Sequence, residues 1–123
     1  MKIDNCTCNP LSIDARILEK TDLETCKKTL AELSKGLAHP ARVEIIYILA
    51  HNAPEERCIC GDIVDVLPLA QSSVSQHLKV LKETGWIHGE IDGPRVCYCI
   101  IDGIIEYYME LVRKSIQDKK NIK

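Results

Sequence analysis

Six of the seven cysteines in this 123-residue chain fall into Cys-x-Cys pairs: Cys6/Cys8, Cys58/Cys60 and Cys97/Cys99. The seventh is Cys26. Paired thiols can hold a soft ion as thiolates, or oxidise. A small secreted scaffold would use them as disulfides, but an odd cysteine count fits that poorly. Residues 1–20 also carry Asp4, Asp14, Arg16 and Glu19 and lack the apolar core of an export signal. The expected compartment is therefore the reducing cytoplasm, where paired cysteines point to soft-metal or redox chemistry. Cys-x-x-Cys is absent, so thioredoxin-like and zinc-ribbon spacings are not present. Sulfur ligation excludes magnesium and calcium. A trigonal thiolate set suits As(III) or Sb(III), whereas a tetrahedral one suits Cd(II), Pb(II) or Zn(II).

The elements that must position these cysteines can be read from periodicity. Hydrophobic residues are 46% and charged residues 28%, the usage of an ordinary globular domain. No apolar run approaches the ~18 residues needed to span a bilayer, so no membrane contact is expected. Residues 1–20 form a candidate flexible arm, residues 21–117 the folded domain and residues 118–123 a polar tail. Leu23, Cys26, Leu30, Leu33 and Leu37 make one helical stripe, with Thr21 and Glu24 as a capping box and Gly36 loosening the end. This places Cys26 in the core. His39-Pro40 opens a second helix, with His39 as a cap and Val43, Ile46 and Ala50 inward beside Ile45 and Leu49. A short third helix runs from about Cys60 to Leu67, ended by Pro68.

A fourth helix runs to Thr84, with Val74, Leu78 and Leu81 on its apolar side and Gly85 as its stop. Strand-like runs Trp86–Ile91 and Arg95–Ile101 flank Asp92-Gly93, a hairpin signal, with Pro94 limiting the pairing of one limb. Trp86 and Tyr98 are expected to anchor this hairpin, and His51 and His88 to lie on the surface. A last helix from Gly103 to Ile116 clusters Ile104, Ile105, Tyr108, Leu111, Val112 and Ile116. The fold expected is mainly α with a β-hairpin wing: a winged helix-turn-helix, dimeric through its first and last helices.

Such a fold reads double-stranded DNA with the second helix of the motif. The polar side of the fourth helix carries Ser72, Ser75, Gln76 and Lys79, which can approach base edges and phosphates. Gln71, Ser72 and Ser73 open that helix, where its N-terminus can meet a phosphate. His77 lies beside the apolar face, suited to packing or to a phosphate contact. Arg95 stands just past the hairpin tip, where a wing meets the groove or the backbone. The bland alternative is a solvated amphipathic helix. Net charge does not choose, since 16 Lys and Arg stand against 18 Asp and Glu, a net of −2. An enzyme is not expected, because there is no Gly-rich phosphate loop and no evident acid–base pair.

Three stretches carry a resemblance: Leu37-Ala38-His39-Pro40-Ala41-Arg42, Cys58-Ile59-Cys60, and the run from Leu69 to Leu81. Together they resemble the ArsR/SmtB family of metal-sensing repressors over roughly residues 21–112. The resemblance implies a homodimer that binds an operator near its own gene and leaves it when a metal or metalloid binds. In the arsenic-responsive branch, a Cys-x-Cys before the reading helix supplies thiolates, which Cys58 and Cys60 match, so As(III) or Sb(III) is the implied inducer. The cadmium/lead branch adds cysteines from an N-terminal arm, a role open to Cys6 and Cys8. The zinc branch uses His and carboxylates on the last helix, and residues 103–123 contain no His. Cys97 and Cys99 depart from the family pattern.

Geometry sharpens these candidates. If Cys58 and Cys60 lay in one regular helix they would point about 200° apart. Either Cys58 precedes the helix, or an ion unwinds that turn and shifts the reading helix packed on it. Cys97 and Cys99 share one face of a strand. They are candidates for a soft-ion pair and equally for half-buried filler. A thiol redox or sulfide-sensing repressor and a winged-helix interaction module without DNA are the competing readings.

Overall fold

The computed structural model describes residues 11–51, 58–60, 71–92 and 95–117; at 58–60, 71–72, 90–92 and 95–96 the description is of the backbone. A 3-10 helix (Ala15–Lys20) leads into α1 (Leu23–Gly36) and α2 (Pro40–His51). Then come β1 (Cys58–Cys60), α3 (Gln71–Thr84), β2 (Ile87–Asp92), β3 (Arg95–Ile100) and α4 (Ile104–Val112), with a π-helical turn at Arg113–Gln117. The architecture is a winged helix: a helical body with a β-hairpin, to which β1 adds an edge strand in the order β1-β3-β2.

The helix starts follow local chemistry. Asp22, not Thr21, caps α1: its carboxylate accepts the Thr25 N–H at 3.1 Å and the Thr25 hydroxyl at 2.6 Å. Thr21 instead closes the 3-10 helix, its N–H donating to Leu18 O at 3.2 Å. His39 caps α2 by accepting the Ala41 N–H on Nδ1 at 3.0 Å. Gly85 ends α3 with φ 101°, a conformation open mainly to glycine.

One core gathers every helix. Cys26 and Leu33 of α1, Ile45, Ile46 and Leu49 of α2, and Val74, Leu78 and Leu81 of α3 meet Trp86, Ile87, Ile100, Ile104 and Leu111. α2 is turned from the expected face: Val43 is 47% exposed, while Ile45 and Leu49 are fully buried. α2 is apolar on most sides, so periodicity alone does not select the face that wins. On α4, Ile105 is exposed while Ile104 and Leu111 are buried, and Ile116 of the π-helical turn is exposed too. Gly36 is a packing residue, not a loose end. The Trp86 indole lies over it, and a Cβ there would sit 2.5 Å from Trp86 Cδ1. Trp86 Nε1 donates to Leu33 O at 2.7 Å, which fixes the root of the hairpin to α1. Among the described residues no helix is long and apolar enough to cross a membrane.

Residues 11–20 are built into this body. Leu18 is 1% exposed, and Lys114 from the C-terminal turn donates to Leu18 O and Thr21 O, closing the carbonyl end of the 3-10 helix. The hairpin pairs along its whole length, from Ile87↔Ile100 to Asp92↔Arg95. Both limbs therefore pair over the described Ile87–Asp92 and Arg95–Ile100, including Arg95 next to Pro94, so the expected limit on one limb is not seen there. The expected short helix over residues 61–67 lies outside the described residues. Its start is corrected: Cys58–Cys60 is a strand.

Candidate nucleic-acid interface and thiolate face

The reading helix α3 divides by helical phase. Val74, Leu78 and Leu81 bury one side, and Ser73, Ser75, Gln76 and Lys79 are exposed on the other. Gln71 and Ser72 form its first residues. The exposed groups are short hydroxyls, an amide and an ammonium, which suits base edges and phosphates. Arg95 begins β3 opposite Asp92, at the hairpin tip. These expected DNA contacts thus sit on an open helix face and on a wing.

His77 belongs to the support of that helix. It is half-buried, its ring centroid is 4.5 Å from that of His39, and its Nδ1 lies 3.1 Å from Arg42 Nη1. Burial, then the nearby His39 and Arg42, hold its pKa below the ordinary 6.5. Arg42 also donates to Gly36 O at 2.9 Å and to Lys35 O at 3.3 Å. One guanidinium therefore closes the carbonyl end of α1 and braces α3. The residue types alone did not reveal this role. The only signal was the Leu37–Arg42 string that carries the resemblance.

The cysteines redistribute. Cys6 and Cys8 lie outside the described residues. Cys26 is a buried free thiol of the core, 3.9 Å from Thr21 O. Cys58 and Cys60 occupy β1, which pairs antiparallel with β3 in the register Cys58↔Cys99 and Cys60↔Cys97. Directly opposed residues of an antiparallel ladder share a face, as do residues two apart on one strand. Cys58, Cys60, Cys97 and Cys99 are thus placed on one sheet face by backbone alone, and no helical turn has to unwind to align Cys58 with Cys60. Cys97 and Cys99 are 0% and 1% exposed, and both are disulfide-bonded. They alternate along β3 with Tyr98 and Ile100, of which Ile100 joins the main hydrophobic cluster and Tyr98 packs against it. β2 extends the rows: His88 pairs with Cys99, and Glu90 with Cys97. His88, expected at the surface, is half-buried with Nε2 enclosed.

A winged helix with an open reading helix and a cysteine-bearing sheet defines a class of DNA-binding regulator fold. Residues 39–88 match the family described as "Bacterial regulatory protein, arsR family". The chain is 33% identical to an uncharacterised HTH-type transcriptional regulator, MJ1325, of Methanocaldococcus jannaschii over 67% of this chain and 89% of that protein. It is 41% identical to the HTH-type transcriptional repressor SmtB of Mycobacterium tuberculosis, over 58% of this chain and 50% of SmtB. The match thus spans half of that relative's length. A cadmium resistance transcriptional regulatory protein CadC homolog from Staphylococcus aureus is 28% identical, over 76% of this chain and 72% of that protein. The crystal structure of an ArsR family transcriptional regulator, RHA00566, superposes with a TM-score of 0.61 at 19% identity, covering 79% of this chain and 95% of that one, which supports the fold. The chain belongs to the ArsR family.

Proposed function

We propose that this protein is a transcriptional repressor that binds double-stranded operator DNA as a homodimer in the cytoplasm. It releases the DNA when a thiophilic metal or metalloid binds thiolates that include Cys58 and Cys60. The observation that carries the reading is the pairing of β1 with β3, which puts the Cys58/Cys60 strand directly on the wing of a DNA-reading fold. A relative named as a cadmium resistance transcriptional regulatory protein supports a metal inducer. As(III) or Sb(III) is the inducer implied by the Cys58-Ile59-Cys60 resemblance, and Cd(II), Pb(II) or Zn(II) is the class suggested by the cadmium relative.

The chain's own residues do the rest. Ser73, Ser75, Gln76 and Lys79 meet the major groove, with Gln76 suited to a bidentate contact with adenine and Lys79 to guanine or phosphate. Arg95 meets the backbone or minor groove from the wing. Arg42 and His77 hold α3 at its angle. Cys58 and Cys60 would hold the ion, which would supply a cross-link between thiolates on the strand that pairs with the wing.

Dimerisation draws support from exposed apolar side chains. Met109 is 64% and Ile116 67% exposed at the C-terminal end, and Ile17 is 60% exposed on the 3-10 helix. α1 presents mostly charged residues, among them Glu24, Lys27, Lys28 and Lys35. The proposed contact therefore centres on the last helix. A second reading, a thiol redox repressor, is favoured by the disulfide bonding of Cys97 and Cys99.

The test is fluorescence anisotropy of reduced, metal-free protein on a labelled fragment from upstream of its own gene. Arsenite, then cadmium, then peroxide is added to wild type and to Cys58→Ser. Release by arsenite or cadmium in wild type and not in the variant supports the metal reading. Release by peroxide alone favours the redox reading. Absence of salt-dependent DNA binding would sink both.

A further inference from the structure

Cys97 and Cys99 are buried, metal-capable residues that DNA reading does not use. Alternation along β3 puts Cys97 and Cys99, both buried, on the face opposite Tyr98 and Ile100, and it is the latter pair that joins or packs against the main hydrophobic cluster. The register then puts Cys58 across from Cys99 and Cys60 across from Cys97. Opposed Cβ atoms in such a ladder are about 4.5–5.5 Å apart. Sulfurs bound to one ion at about 2.3 Å in a tetrahedron lie about 3.8 Å apart, a spacing that side chains on opposed Cβ atoms can reach. The disulfide bonding of Cys97 and Cys99 shows that each has another sulfur within reach. His88 and Glu90 continue the two rows on β2, so this sheet face is dense in metal-binding residue types.

We propose that Cys58, Cys60, Cys97 and Cys99, when reduced, form one four-thiolate site for a soft divalent cation of tetrahedral preference, clamping β1 to the wing strand. This deepens the metal-responsive reading above and rests on it only for its regulatory consequence. The site differs from one closed by the arm: the wing itself supplies half the ligands, and Cys6 and Cys8 are not needed. Ligand thiols lose their protons on binding, so the loaded site carries roughly −2 by formal count. That charge lies on the sheet that bears Arg95 and works against the approach of the wing to phosphate.

The test uses the full-length reduced chain under anaerobic conditions, with Cd(II) as the probe and no DNA present. Thiolate-to-cadmium absorption gives affinity, and X-ray absorption counts the sulfur neighbours. Wild type, Cys6→Ser/Cys8→Ser and Cys97→Ser/Cys99→Ser are compared, with circular dichroism on each. The arm variant should keep a full four-sulfur shell and bind within about threefold of wild type. The wing variant should lose half its sulfur neighbours and bind on the order of 100-fold more weakly, as should Cys97→Ala/Cys99→Ala. A lost sulfur shell in the arm variant, or an unchanged one in the wing variants, overturns the proposal. The arm measurement leaves the core and sheet untouched, so it decides even if a wing variant folds poorly. DNA binding of the same samples is scored separately. Its failure would sink the repressor reading and leave the four-sulfur result standing.

Discussion

His77 is confined to one tautomer by its partner. Arg42 can only donate, so the Nδ1 that it reaches at 3.1 Å must accept, and the proton of the neutral ring sits on Nε2. Protonating Nδ1 would break that contact and put a positive charge on a half-buried ring beside Arg42, which agrees with the lowered pKa, burial being its largest cause. The sign follows by linkage. An unfolded His77 takes up a proton near pH 6.5 and the folded one does so only at lower pH. Its contribution to stability is fully present above pH 6.5 and is lost as the pH falls through the folded value. An NMR titration should show the His77 midpoint below 6.5, and it should move up toward that value in Arg42→Ala. Arg42→Lys keeps the charge but not the fork, and should cost about 1–3 kcal/mol in urea unfolding. The exposed groups of α3 were legible in the sequence because a helix of known phase fixes which residues face outward. The bracing role of Arg42 was not, because its partners stand at Lys35, Gly36 and His77, and only the folded chain brings them together.

The elements differ in how plainly they are written. α1 and α3 have clean apolar stripes, and the hairpin has its Asp92-Gly93 signal, so these are recovered to within a residue or two. β1 is a strand of three residues, too short to show a period, and its partner β3 lies far along the chain. Cys58-Ile59-Cys60 therefore carries no local sign that it is a strand, and a mechanism that relied on a helical turn there loses its premise. Gly36 hides its purpose in the same way. Gly near a helix end reads as a stop, yet here it makes room for the Trp86 indole. Gly36→Ala should destabilise the protein by about 1–3 kcal/mol through overpacking, with the loss read as a lower urea midpoint at unchanged m. Trp86→Phe keeps most of the volume but removes the donor to Leu33 O, and should cost about 1–3 kcal/mol. Both substitutions act at the joint between α1 and the hairpin, so their effects should not add.

At the scale of the molecule, a net charge of −2 means that the proposed DNA affinity must come from the placement of charge and, in the proposed dimer, from doubling the reading heads. Met109→Glu puts a charge on the exposed apolar surface of α4. Its effect on the folded monomer should stay within about 0.5 kcal/mol, since Met109 is 64% exposed. If the proposed dimer forms through this surface, sedimentation velocity should nevertheless show it shifted to monomer at micromolar concentration, and operator affinity should fall with it. An unchanged dimer would move the interface elsewhere. The N-terminal segment adds a consequence of a different kind. Ile13 N–H donates to Asp102 O and Asp102 N–H to Leu11 O, each at 2.8 Å, and Gly103 beside them takes φ 82° where a Cβ would strike Ile13 O. The chain is thus stitched, just before its first helix, to the residue where the wing strand runs out. A pull applied upstream of Leu11 reaches the root of the wing through two hydrogen bonds, as a tether rather than a loose leash. The Ile13 and Asp102 amides should exchange with deuterium as one unit, and a bulkier residue at 103 should release both together.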